Sequence, residues 1–203
     1  MPGADDYLTL LDWRRRVADM YSGVRARLDR DPSDANAYWR RCRDDLFRTH
    51  PQSPLPADER ARFANLRYFD YDPRFAFTAA IRPLPELRCS VGTSNSGEMP
   101  MVRVGAVDLP VGTLDVMWLD TYGGGLFVPF SDATAGNTTY GGGRYLLDTA
   151  KSADLGARDG ALVLDFNFAY NPSCAYDSKW TCPLAPPANR LAAAIEAGER
   201  HHG

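Results

Sequence analysis

Leu162–Cys182, LVLDFNFAYNPSCAYDSKWTC, is the stretch on which the reading of the whole chain turns. Its first half alternates. Leu162, Leu164, Phe166 and Phe168 fall on one side and Val163, Asp165 and Asn167 on the other, which is the period of a strand. One face is apolar and the other carries an acid and an amide. Asn171-Pro172 then stops the strand, because Pro172 has no amide hydrogen for a ladder and disfavours helical geometry at Asn171, while Asn caps turns through its side chain. Tyr170, Tyr176 and Trp180 bring large rings over the turn, and their polar tips need partners when buried. The knot has two readings. Asp165, Asn167 and Asn171 either satisfy the backbone of an irregular loop or face a ligand in an aromatic-lined pocket.

Working outward, the flanking sequence breaks into short alternating runs separated by Gly, Pro, Asn and Asp. RYFDYDPRFAFTAAI presents Phe75, Phe77, Ala79 and Ile81 as a first strand. Further strands are expected at Arg88 to Val91, Met101 to Val107, Thr113 to Leu119, Leu126 to Pro129, Arg144 to Asp148 and Ala161 to Phe168. With no helical pattern between them, these runs suit antiparallel pairing rather than a doubly wound parallel sheet. Thr93–Pro100 reads as a hairpin turn, and Leu191–Glu199 as a short helix or helical turn before a loose tail, His201-His202-Gly203.

Upstream the period changes. Trp13, Val17, Met20, Val24 and Leu28 recur at three and four, and Tyr38, Cys42 and Leu46 repeat the pattern after a break and cap at Asp31-Pro32-Ser33-Asp34. The fold class expected is therefore α+β, mainly β. An N-terminal helical pair (1–50) precedes an antiparallel β-sandwich or flattened barrel (51–203).

A chain of 203 residues buries roughly 70% of its extended surface without crosslinks, so neither metal nor disulfide is required. Its 23 basic and 26 acidic residues leave a net charge of -3, which makes no electrostatic case for nucleic acid or an acidic membrane. The start, MPGADDYLTLLDWRRR, lacks the basic and apolar regions of a secretion signal, and no run is long enough to span a membrane. A soluble, cytoplasmic protein is expected, with its four cysteines as thiols rather than bridges and Cys42 and Cys89 as small buried hydrophobes.

Two glycine triplets, Gly123–Gly125 and Gly141–Gly143, lack the spacing and following helix of a phosphate loop and read as tight turns. Between them and the knot, Asp132, Thr139, Tyr140, Arg144 and Tyr145 gather an acid, a permanent cation and hydroxyls. Arg144 has the geometry to grip a carboxylate ligand, but an internal partner, Asp132 or Asp165, is favoured because a buried Arg needs a carboxylate. Cys174 and Cys182 match no zinc or thioredoxin-like spacing, and because His50 is the only histidine outside the tail, Cys174 with His50 is the pair considered for hydrolase or transferase chemistry. No GxSxG, HExxH or GxGxxG occurs, no cofactor or metal is expected, and the residues select no reaction.

Four segments carry a resemblance: Ser53–Pro73 (SPLPADERARFANLRYFDYDP), Phe127–Asp148 (FVPFSDATAGNTTYGGGRYLLD), Leu164–Tyr176 (LDFNFAYNPSCAY) and Cys182–Glu199 (CPLAPPANRLAAAIEAGE). In this order they resemble a bacterial family, domain-of-unknown-function family 1684. The resemblance covers most of the chain after about His50. It implies an antiparallel, immunoglobulin-like sandwich and no particular activity. The reading adopted is a domain that binds a small polar or anionic molecule, with catalysis left open. Its candidate residues are Asp132, Thr139, Tyr140, Arg144, Tyr145, Asp165, Asn167, Tyr170, Asn171, Cys174 and Tyr176. The alternative is a non-catalytic structural or interaction module in which the knot serves only stability.

Overall fold

In the computed structural model, which describes residues 3–201, the N-terminal quarter is a helical pair, α1 (Ala4–Leu28) and α2 (Pro32–Thr49). Asp31 separates them, its carboxylate accepting the amide hydrogens of Ser33 and Asp34 at 3.0 Å each, and Pro32 occupies the first turn, where a missing N–H costs nothing. A single short helix, α3 (Ala57–Arg60), follows.

Two antiparallel sheets complete the chain. The smaller has the order β1-β8-β7, formed by β1 (Ala76–Ala79), β7 (Ala157–Arg158) and β8 (Ala161–Asp165). The larger runs β2-β3-β4-β5-β6: β2 (Arg82–Gly92), β3 (Glu98–Leu109), β4 (Gly112–Leu119), β5 (Leu126–Phe130) and β6 (Arg144–Asp148). Among the described residues neither sheet closes on itself, so the barrel alternative does not hold; the fold is α+β with two open sheets.

The central strand of the smaller sheet is buried on both faces, which the alternation alone did not foretell. Leu164, with Phe166 just beyond it, packs against Leu114, Val116, Val128 and Phe130 of the larger sheet. Val163 and Phe168 pack instead against Met20, Val24, Leu28, Ala35 and Trp39 of the helices. The layers are therefore helices, small sheet, large sheet.

Several boundaries differ from expectation for local reasons. β8 stops at Asp165 rather than Phe168, because the Asp165 carboxylate accepts the amide hydrogen of Asn167 at 2.9 Å and caps a 3-10 turn over Phe166–Phe168. That turn sends Phe166 and Phe168 into different cores. Phe75 likewise lies in a 3-10 turn, capped by Asp72, and the first strand begins after it. The buried stripe of α2 is Ala35, Asn36, Trp39, Arg43, Leu46 and Phe47, while Tyr38 and Cys42 are half-buried at its edge. Cys89 is half-buried too.

Leu191–Glu199 is not helical: after a 3-10 turn at Pro187–Asn189 the segment is an irregular coil with bends at Ala192, Ala193 and Gly198. Its backbone is used elsewhere, since the carbonyls of Ile195, Ala197 and Glu199 all accept from Arg144. Gly198 allows the close approach this requires. It has φ +75, and a Cβ there would meet the carbonyl oxygens of Phe166 at 2.5 Å and Ala169 at 2.6 Å. Of the expected tail, His201 donates its amide hydrogen to Thr138 O at 2.9 Å, and His202 and Gly203 lie outside the described residues.

Candidate functional site

The eleven candidate residues fall into separate groups. At the start of β6, Arg144 is 1% exposed and donates through Nη2 to Asp132 Oδ2 and to Ile195 O, both at 2.9 Å. Its Nη1 donates to Glu199 O at 3.2 Å and to Ala197 O. Asp132 is completed by three donors on Oδ1: Thr134 N at 2.8 Å, Thr134 Oγ1 at 2.6 Å and Ile195 N at 3.2 Å. Thr139 closes the corner through a 2.8 Å hydroxyl contact with Thr134. Burial pushes the Arg144 guanidinium pKa down, and Asp132 opposes that shift. The partner of Arg144 is thus Asp132, not Asp165, and an anion arriving here would have to displace it.

Asn171 and Tyr176 converge instead on Glu199, while Tyr170 donates its hydroxyl to Asp148 Oδ2 at 3.5 Å. Glu199 Oε2 accepts from Asn171 N at 3.0 Å and from Arg43 Nη2 at 2.6 Å, and its Oε1 accepts from Tyr176 Oη. The rings of Trp39, Phe47 and Tyr170 lie 4.9 to 5.2 Å from the Arg43 guanidinium, whose Nε also donates to Tyr68 Oη at 3.2 Å. Burial works against the Arg43 charge, but Glu199 and the neighbouring tyrosines outweigh it and hold its pKa well above the ordinary value. Tyr145 pairs its backbone with Tyr170 and donates its hydroxyl to Pro183 O at 2.7 Å.

These corners are almost saturated. Arg144 Nε and Asn171 Oδ1 are the buried atoms of the candidate set that lack a hydrogen-bond partner among the described residues. Arg43, Glu199 and Asn189 were not among the sequence candidates. Asn189 joins β4 to β5, accepting from Asp115 N at 2.8 Å and donating to Asp115 O and Pro129 O. For Arg43 a signal existed: it stands four residues from both Trp39 and Phe47, an Arg on an apolar stripe.

Asp165 and Asn167 stand apart from both corners. Asn167 clamps the segment before β1, accepting from Asp72 N at 2.9 Å and donating to Asp72 O at 2.8 Å. It also donates to Asp165 Oδ1 at 2.7 Å. The other Asp165 oxygen is 3.4 Å from the Tyr71 hydroxyl, and Asp165 and Tyr71 are both among the residues that line an open cleft of about 120 Å³. Leu28, Pro32, Phe77 and Val163 supply apolar walls, and Arg158, also on the cleft, is occupied by Asp29 at 2.5 Å. No cation pairs with Asp165 among the described residues. Burial pushes its carboxyl up to about 6 against the pull of Asn167 and Tyr71. A second hollow, of about 400 Å³, is lined by Ala26, Arg27, Arg30, Asp31 and Asp34 of the α1–α2 turn, where opposite charges balance.

Cys174 and His50 do not meet. His50 Nε2 lies 3.1 Å from Asp12 Oδ2, whereas Cys174 lies beside Cys182 and Tyr140. All four cysteines are free, no cluster of three or more metal-ligating side chains exists among the described residues, and no described helix is long and apolar enough to cross a membrane.

A search of curated proteins gave no match. Among solved structures, the solution NMR structure of an uncharacterized protein from Haloarcula marismortui is 37% identical, with a TM-score of 0.54 over 79% of this chain and 89% of that one. Residues 61–200 match the family described as "Protein of unknown function (DUF1684)", a match that starts after α3 and takes in both sheets, the Arg144 corner, Asp165 and Glu199. The match takes in three of the four signature segments whole and the first from residue 61, and the chain belongs to the DUF1684 family.

Proposed function

We propose that this domain binds a small polar molecule bearing an amine or another hydrogen-bond donor, and that the Asp165 cleft is where it binds. The observation that carries the reading is a buried carboxyl group without a cation partner on a residue that lines the open cleft beside the smaller sheet. A lone buried carboxylate is costly, and a ligand ammonium would relieve that cost. The apolar walls and the Tyr71 hydroxyl suit a short alkyl amine better than a bulky metabolite. The polar corners around Arg144 and Glu199 have their charges committed internally and are assigned to stability. The same proposal includes an immunoglobulin-like description of the sheets, supported by the core they share, and a cytoplasmic location, supported by four unpaired thiols.

Titration of the labelled full chain with methylammonium, ethylammonium and acetate, followed by amide NMR, tests this. Ammonium ions should shift the signals around Tyr71, Thr78 and Asp165 at about pH 8, and much less at about pH 5, where Asp165 holds its proton. Shifts of equal size with acetate, or none with any probe, would overturn the reading.

A second reading, the non-catalytic interaction module, is favoured by one feature. Tyr7 and Leu8 are each 62% exposed and Leu11 is 42% exposed, which gives the first turns of α1 an apolar surface that a protein partner would cover. Sedimentation of the chain at rising concentration, compared with Leu8→Glu, reports whether that surface drives self-association.

A further inference from the structure

We propose that Cys174 and Cys182 form a peroxide-oxidised dithiol, with Cys174 the attacking sulfur and Cys182 the resolving one. The proposal is independent of the Asp165 cleft. The two residues are brought together by different local structures. Cys174 sits in the 3-10 turn Ser173–Ala175. Cys182 is held in an extended segment beside the β2–β3 turn: its carbonyl accepts from Ser94 N at 2.9 Å and its amide donates to Ser94 Oγ at 3.1 Å. The amide of Cys174 donates to Cys182 Sγ at 3.3 Å, and the Tyr140 hydroxyl lies 3.6 Å from Cys174 Sγ.

The pair is asymmetric in access and in charge. Cys174 is half-buried, whereas Cys182 is 4% exposed, so Cys174 is the more accessible of the two residues. Hydrogen bonding from the Cys182 thiol pulls the Cys174 thiol down to about 6 against its burial, with help from Tyr140 and Ser94. The same bond pushes Cys182 upward. The two shifts run in opposite directions and favour the thiolate on Cys174 over Cys182. The other cysteines lie on separate elements, Cys42 on α2 and Cys89 on β2, and serve as internal controls.

The chemistry balances with hydrogen peroxide as oxidant. The Cys174 thiolate attacks one peroxide oxygen, the O–O bond breaks, and sulfenic acid forms with release of hydroxide, which a solvent proton converts to water. Cys182 sulfur, losing its proton, then attacks the Cys174 sulfur. The S–O bond breaks, water leaves and a disulfide remains, so two thiols are oxidised by two electrons and one peroxide is reduced to two waters. A thiol reductant reverses the step. The bond closes residues 175–181 into a loop and converts the sulfur that faces Tyr140 from a thiolate into half of a disulfide.

The full chain, treated with limiting peroxide, should lose two of its four titratable thiols and the mass of two hydrogens, and peptide mapping should place the link between Cys174 and Cys182. Dithiothreitol should restore all four thiols. Cys182→Ala should stop at a sulfenic acid on Cys174, trapped by dimedone, and Cys174→Ala should leave Cys182 reduced at the same dose. Because either variant risks misfolding, mapping of the unaltered chain decides. Retention of all four thiols at a dose that oxidises glutathione, or oxidation of Cys42 or Cys89 ahead of Cys174, would overturn the proposal.

Discussion

The protein buries two arginines, and they are neutralised in different ways. Arg144 shares its charge among one carboxylate and three backbone carbonyls, all within the residues that match the family. Arg43 lies on α2, outside that match, and meets one carboxylate, Glu199, in a box of aromatic rings. Glu199 serves both, its backbone carbonyl accepting from Arg144 and its side chain from Arg43. The first arrangement is a fastening of backbone: remove the cation and the path of the C-terminal segment loses its donors. The second is an ion pair in the ordinary sense, and its two halves can be exchanged together. The lesson is that equal burial does not mean equal dependence.

That difference sets the largest expected effect. Arg144→Met should cost about 5 kcal/mol, the upper end for breaking a buried pair, because three carbonyls lose their donor along with Asp132. Adding Asp132→Leu should recover less than half, since the carbonyls stay unmatched. Recovery of nearly all the loss in urea unfolding would show that Arg144 is an ion-pair residue like Arg43. For the second site, Arg43→Met should cost about 3 kcal/mol, and here Glu199→Gln in the same chain should recover most of it. The amide oxygen still accepts a hydrogen bond at 199, and no charge is left stranded. A double variant no better than the single one would place the Arg43 contribution in its ring contacts.

A change that touches neither arginine directly separates geometry from charge. Gly198→Ala puts a methyl group against the carbonyls of Phe166 and Ala169 at a backbone angle that favours glycine, and should cost about 2 kcal/mol. Its effect should not add to that of Arg144→Met, because both act on the placement of residues 195–199. Strict additivity in a double-mutant cycle would break the link drawn here between the glycine and the arginine.

Much of this architecture is written locally and some of it is not. β6 falls at Arg144–Asp148 as expected, since alternation and turn glycines act over a few residues. Asp132 as a partner of Arg144 is legible for the same reason, being only 12 residues away. Glu199 with Arg43 spans 156 residues, and no periodicity connects them. LAAAIEAGE has the composition of a helix, and its irregular course follows from hydrogen bonds to Arg144 that override local propensity. Alternation in Leu162–Phe168 marked a strand, but could not show that helices would bury its second face, with Val163 and Asp165 on it.

Asp165 completes the comparison as a buried charge with no opposite charge beside it, and its removal, unlike the changes above, should stabilise the fold at neutral pH. The sign follows from linkage. With a folded value of about 6 against an ordinary 3.8, the folded state binds more protons between those values, so this group's contribution falls as pH rises from about 4 to about 6 and its cost is complete above that. A shift of about two pH units corresponds to about 3 kcal/mol. Asp165→Asn keeps an oxygen to accept from Asn167 and removes the ionisation, so its stability should lie within about 1 kcal/mol of the parent's at about pH 4, where the folded parent holds its proton, and exceed it by up to about 3 kcal/mol at pH 7. The difference between the two unfolding curves should move in favour of the variant as pH is raised through that window. Asp148, also buried with its carboxyl pushed up, is present in both chains and cancels from the difference. An ammonium ligand should stabilise the parent above pH 6 and not the variant, because the carboxylate it would pair with is gone. If the two chains show the same pH dependence, Asp165 is ionised in the folded state without penalty, and the argument that singles out its cleft as a binding site loses its basis.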